Sequence, residues 1–513
     1  MSNSMKNPIR VAAVALLALS AMLPALTQAG PQDNRLSVQQ QRVLRQYAVD
    51  TWQSFVAMVD EQTGLPADNI NAVTHQVSAY TSPTNIGAYI WSTLVARDLQ
   101  IITPQEARER IAQTLEALAE LERHEPSGMF YNWYNPATGE KLTTWPVDQS
   151  RVYPFLSSVD NGWLAMALMM VTNSVPQLRD QAQAIVGEMN FSCYYDPAAG
   201  LMRGGFWDTS PPPGNWPLGF YCGGGPDVFY TGHHYGALNT EPRIASYIGI
   251  AKDGVPATHY FKMWRTFPPT CDWSWQEMQP QGVWRNYLGV DVFEGHYTYR
   301  GMDIVPSWGG SMFEALMVPL FVPEEEWGAR SWGINHPLYV QAQIEHGMQE
   351  AGYGYWGFSP SNNPAGGYRE YGVDPIGLDP AGYTSDQERT TVDYGWSDPG
   401  CPRPASIPTD YGQGVVTPHA SFLALEFAPD AALENLSNLR TDFGAYGWGG
   451  FYDAINVTTG EMSRYYLALD QGMIMAALGN ALRNDRLQHY FVHGEVEQAI
   501  RPILAIEEFT AGR

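Results

Sequence analysis

A period of about 3.6 residues, returning along most of the chain in paired segments, limits the folds open to this sequence more than any other feature. Residues 36–59 carry apolar side chains at Val43, Leu44, Tyr47, Ala48, Trp52, Phe55 and Val56, and residues 86–99 and 104–121 repeat the pattern. Further helices are expected at 161–171, 175–189, 241–251, 256–264, 311–320, 336–351, 418–427, 429–442, 471–484 and 486–491. Several open on a stop or cap signal: Ser82-Pro83, Thr103-Pro104, Asn335-His336-Pro337 and Thr417-Pro418. Proline fits there because the first helical N–H has no partner to lose. About a dozen paired helices, without a convincing series of strands, imply an all-α chain. Long Gly/Pro/aromatic connections at 194–235 and 353–414 are of a size that is uncommon unless functional. Together these features suggest an (α/α)6 toroid with elaborate loops at its mouth. An open helical solenoid competes, but no repeat of about 30 to 50 residues is visible.

Residues 1–29 read as a secretory signal: Lys6 and Arg10 precede an apolar run from Val11 to Leu23, and Thr27-Gln28-Ala29 closes it. The expected mature chain, 30–513, holds no Ser/Gly-rich or charge-rich linker and reads as one catalytic-size domain, exported to the periplasm or beyond. No later apolar run is long enough for a membrane span. Loss of Lys6 and Arg10 takes the formal charge from −24 to −26, which argues against nucleic acid as a partner. Four cysteines without CxxC spacing indicate neither a zinc ribbon nor a disulfide-dense scaffold, and Cys193 with Cys222 would close the shortest loop.

With 17 Trp and 29 Tyr, the chain is rich in flat amphipathic rings that suit either a large aromatic core or the faces of sugars. Several acids sit beside glycines and rings rather than on polar helix faces: Asp160 in "SSVDNGWLA", Glu241 in "ALNTEPRIASY", Glu294 in "VFEGHYTYRG", Glu314 in "VPSWGGSMFEALM" and Asp470 in "YLALDQGM". Each has a plain structural role as well. Asp160 and Asp470 could cap helices, Glu241 could be a first-turn acid, and Glu314 could be a buried partner of Arg300. Hydrolysis of a glycosidic bond needs two carboxyls, and desolvation among rings keeps one of them protonated. Spacing alone does not select the pair. His233-His234 lack a metal-ligand partner at helical spacing, so neither a metal nor any other cofactor is expected. The loop 377–388 lacks the EF-hand pattern, and no GxSxG elbow occurs.

Nine ordered motifs add to this reading: "TSPTNIGAYIWSTLVARDLQIIT" (81–103), "FYNWYN" (130–135), "SSVDNGWLA" (157–165), "TEPRIASYIGIA" (240–251), "PSWGGSMFEALM" (306–317), "YGYWGFSPS" (353–361), "VVTPHAS" (415–421), "GGFYDAIN" (449–456) and "LDQGM" (469–473). In that order they resemble the glycoamylase-like domain family, which includes bacterial endo-β-1,2-glucanases and the transglycosylating domain of cyclic β-1,2-glucan synthases. The resemblance implies an (α/α)6 toroid and hydrolysis of β-glucan. It places the general acid at Glu241 and, through the "DQG" motif of the hydrolytic relatives, the general base at Asp470, with Asp453 in reserve. Pro360 stands where the synthases carry a second glutamate, so inversion is expected rather than a retaining mechanism. Asp160, Arg300, Trp308, Glu314, Trp356, Tyr368, His419 and Asp453 are expected to contact an oligo- or polysaccharide substrate, with no nucleic acid as partner and action as a monomer. The glycines and Trp308 of "PSWGGS" read as a loop that lets backbone and ring approach a sugar. A polysaccharide lyase and a non-catalytic periplasmic glucan-binding protein are the rival functions on the same fold.

Overall fold

Helix starts follow the side chains that precede them. Ser37 opens α1 (Val38–Met58) with a capping box: its hydroxyl accepts from the Gln40 N–H, and the Gln40 side chain accepts from the Ser37 N–H. Ser82, Thr103 and Ser157 accept in the same way from Asn85, Glu106 and Asp160 at α2 (Pro83–Asp98), α3 (Pro104–Glu120) and α4 (Ser158–Ser174). The computed structural model describes residues 36–268, 279–378, 411–412 and 414–512. The remaining helices are α5 (Arg179–Glu188), α6 (Arg243–Ala251), α7 (Thr258–Lys262), α8 (Met312–Leu316), α9 (Glu324–Trp327), α10 (Trp332–Glu345), α11 (Pro418–Leu423), α12 (Pro429–Phe443), α13 (Ala468–Arg483), α14 (Arg486–Val492) and α15 (Glu495–Ile506).

Two classes of helix separate by burial. Most side chains of α2, α4, α6 and α13 are buried, whereas α1, α3, α5, α12 and α15 bury one face and expose the other. The buried set packs on itself: α2 lies against α4 and α13, α4 against α6, and α11 against α13 and α8. Arg243 joins α6 to α8 by donating to the carbonyls of Thr240, Glu314 and Ala315. The amphipathic helices cover this set from outside, α1 on α13, α3 on α2, α5 on α4, α12 on α11 and α15 on α6. Trp91, Trp163 and Phe321 meet edge to face at the centre, with centroids 5.1 to 6.2 Å apart.

The chain is helix-rich but not all-α. An antiparallel hairpin runs from Gln281–Tyr287 into Val290–Tyr299, in register from Gln281 with His296 to Tyr287 with Val290, and continues to Met302–Ile304. The connection 194–235 is built from strands of two or three residues in two small sheets, tied by a Cys193–Cys222 disulfide with Cα atoms 4.4 Å apart. Strands so short fall below the window in which a two-residue period can be read. Helix α10 also departs from expectation, starting at Trp332 with Pro337 inside it. Burial holds that first turn: Asn335 accepts from the Val305 N–H and donates to its carbonyl, and His336 stacks on Trp332 at 5.0 Å. These contacts outweigh the single helical hydrogen bond a proline removes.

Candidate active site

The N-terminal ends of α2, α4 and α13 and the turn entering α6 converge on a cleft of about 1110 Å³. The first turns of these elements carry acids, so Asp160 on α4, Glu241 just before α6 and Asp470 on α13 all line it, together with Asp68. Rings and amides form the rest of the wall, among them Tyr80, Trp133, Trp145, Asn362, Tyr368 and Tyr465.

Glu241 is held by two elements at once. Its carboxylate accepts from the Trp163 indole N–H at 2.6 Å, and its backbone N–H donates to Glu314 at 2.8 Å. Glu314 also accepts from the Thr240 hydroxyl at 2.5 Å. Burial, and then the negative charge of Glu314, push the Glu241 carboxyl well above the ordinary carboxylate range. A carboxyl so placed is favoured in its protonated form.

Asp470 is 2% exposed, and burial raises its carboxyl to about 7. Behind it Asp453, equally buried, accepts from the Asn362 N–H at 2.6 Å and is raised further, by burial and by the Asp470 charge. Burial and the neighbouring Asp470 charge together favour the protonated form of Asp453. His419 faces the pair, its Nδ1 3.4 Å from Asp470 and 2.8 Å from the Thr417 hydroxyl. The hydroxyl proton of Thr417 goes to the Asp453 carbonyl, so Nδ1 of His419 carries the hydrogen and Nε2 accepts from Ser359 at 2.9 Å. Burial lowers this imidazole to about 4, which leaves it neutral.

Asp160 accepts from the Thr84 hydroxyl at 2.6 Å, and Asp68 accepts from the side-chain amides of Asn69 and Asn85 at 2.9 and 2.8 Å. Burial raises both acids, against those hydrogen bonds. Asp68 was not among the residues expected from sequence. The strand Asn69–Asn71 pairs with Tyr465–Leu467, and the Asp68 carbonyl accepts from the Ala468 N–H, which brings it beside the start of α13.

Of the expected residues, Asp160, Glu241, Tyr368 and Asp470 line the cleft, and Glu314, His419 and Asp453 stand one contact behind it. The other three lie elsewhere. Arg300 sits on the exposed turn after Tyr299 and donates to Glu345 and Gln349, because that turn points to the last turn of α10 rather than to α8. Trp356 is 2% exposed within the main core, and Trp308 packs with Ala237, Tyr297 and Leu378. The glycines of "PSWGGS" serve a backbone contact rather than a sugar. Gly309 and Gly310 adopt φ of 58° and 71°, residues 307 and 310 pair with 373, 376 and 378, and a Cβ on Gly310 would stand 2.0 Å from the Val373 carbonyl. Glu294 is buried on the second hairpin strand, 3.4 Å from Arg265. Among the described residues no cluster of His, Cys, Asp or Glu suits a metal ion.

Residues 274–495 match the model of the family described as "Putative glucoamylase", and residues 46–196 match a family of unknown function, DUF3131. Over residues 274–495 the chain is similar to that glucoamylase family. It is 23% identical to the cyclic β-(1,2)-glucan synthase NdvB of Rhizobium meliloti over 93% of its own length. It is 27% identical to an exo β-1,2-glucooligosaccharide sophorohydrolase of Parabacteroides distasonis over 28% of its length. The chain spans only 19% and 18% of these two relatives. It shares its fold with the endo-β-1,2-glucanase of Chitinophaga pinensis, with a TM-score of 0.61 and 17% identity over 91% of this chain and 98% of that one.

Proposed function

We propose that this chain is an exported glycoside hydrolase that cleaves β-1,2-glucan within the polymer, with inversion, on an (α/α)6 toroid whose inner ring is α2, α4, α6, α8, α11 and α13. The observation that carries the reading is the contrast inside one cleft. Glu241, buried beside Glu314 and held by the Trp163 indole, is pushed well above the ordinary carboxylate range, while burial raises Asp470 to about 7. Two buried carboxyls lining one cleft are what acid and base roles need. Glu241 gives its proton to the glycosidic oxygen as the bond from C1 breaks, and the leaving sugar departs as an alcohol. Asp470, ionised, takes a proton from water directly or through a substrate hydroxyl, and the water oxygen bonds C1 from the opposite face. Asp68 and Asp160 are within the same wall to hold sugar hydroxyls. The β-1,2 linkage rests on the named activities of the relatives and on the motif resemblance.

The test is product chromatography of the purified chain on β-1,2-, β-1,3- and mixed-linkage glucans, with NMR of the first anomer released. A Glu241→Gln chain is expected to lose about 10² to 10⁴ in kcat with its fold intact. Unchanged hydrolysis by that variant would overturn the assignment of the acid. Export is tested separately, by N-terminal sequencing of the chain recovered from the periplasm or medium, which is expected to begin at Gly30.

A further inference from the structure

The cleft wall holds an uncharged stretch as well as its acids. The stretch formed by Gln76, Val77, Tyr80, Trp133, Trp145 and Val147 holds no charged side chain. Tyr80 and Trp145 lie 4.5 Å apart at 37°, and Trp133 meets both edge-on, 5.3 Å from Trp145 and 5.7 Å from Tyr80. All three rings are half-buried and line the cleft, while Val77 and Val147 beside them are exposed. Backbone bonds hold the rings in place. The Trp133 carbonyl accepts from Leu142 at 3.0 Å, the Trp145 N–H donates to Ser150 at 2.7 Å, and the Tyr80 carbonyl accepts from Asp68 at 2.9 Å. One side chain joins this stretch to the acids, since Asn69 donates to the Tyr80 hydroxyl at 3.1 Å and to Asp68 at 2.9 Å.

A fixed, uncharged, aromatic wall suits the C–H face of a neutral pyranose, and its distance of one asparagine from the acids suits a sugar beyond the bond that is cut. We propose that Tyr80, Trp133 and Trp145 form a stacking platform for a glucosyl unit remote from the cleavage point, so that the cleft selects a linear polymer over a disaccharide or trisaccharide. The proposal rests on the β-glucan reading above and adds the chain length to it. Rings that only packed on one another would steady the loop 131–155 without regard to ligand length.

The experiment compares Trp145→Ala and Trp145→Phe in the full chain. Binding is read by calorimetry in a Glu241→Gln background, with linear β-1,2-glucan and with its trisaccharide as probes. Trp145→Ala is expected to weaken polymer binding about tenfold and trisaccharide binding less than about twofold, and Trp145→Phe to restore most of the loss. In the active chain the ratio of kcat/KM on polymer to that on trisaccharide falls by the same factor. Equal weakening on both probes, no change on either, or failure of the parent to bind the polymer overturns the platform. Hydrolysis that survives Glu241→Gln would instead count against the acid, and the binding arms would still decide the platform.

Discussion

At the scale of single residues, Asp470 is the group whose chemistry is most exposed to pH. Its carboxyl titrates near 7 in the folded chain and near 3.8 when unfolded, so between those values the folded state holds a proton the unfolded state has released. Stability therefore falls as pH rises from about 4 through about 7. Asp470→Asn is expected to raise the melting temperature at pH 8 by a few degrees, with the gain vanishing near pH 4, while hydrolysis is lost. Scanning calorimetry at the two pH values checks this, and a variant less stable at pH 8 would refute it. The rate follows the same groups. It should climb with pH up to about 7 as Asp470 ionises and fall at higher pH as Glu241 loses its proton, a bell read from the pH profile of kcat/KM in the parent chain. The motifs "TEPR" and "LDQGM" marked both acids in the sequence. Asp68 was not legible, because its neighbours Asn85 and Ala468 come from distant segments and no local pattern announces them.

Between elements, the contact that orders the site is Arg243 with Glu324, both fully buried. Burial pushes Glu324 up, but the Arg243 charge and the hydrogen bonds from His336 and Arg243 outweigh it and hold the carboxyl at about 2. The guanidinium also fixes the carbonyls of Thr240 and Glu314, the two residues that meet at Glu241. Arg243→Met is expected to cost about 3 to 5 kcal/mol in urea unfolding, since it strands a buried carboxylate. Its kcat should fall as well, because the α6–α8 junction relaxes. An expected partner for Glu314 was Arg300, which the turn after Tyr299 instead sends to Glu345. Helices were legible because a 3.6-residue period survives over long segments. The hairpin 281–299 was not, since it buries residues on both faces of Val290–Tyr299 and so shows no clean alternation.

For the molecule as a whole, the Cys193–Cys222 link closes a loop of 29 positions within the connection that carries the small sheets. The double variant Cys193→Ala/Cys222→Ala is expected to lose about 3 to 4 kcal/mol of stability, read from urea unfolding against the parent. A loss near zero would show that the loop is already ordered by its strands. Local rules written in the sequence determined the helices, their caps and the acids that open them, because periodicity and capping act over a few residues. The ring content was also plain, but not its division, and packing alone decided that Trp356 went to the core while Trp133 and Trp145 went to the cleft. The titration of Glu241 and Asp470 was likewise a product of the tertiary structure. Desolvation and the charge of a neighbour distant in sequence set it, and neither exists until the helices are side by side.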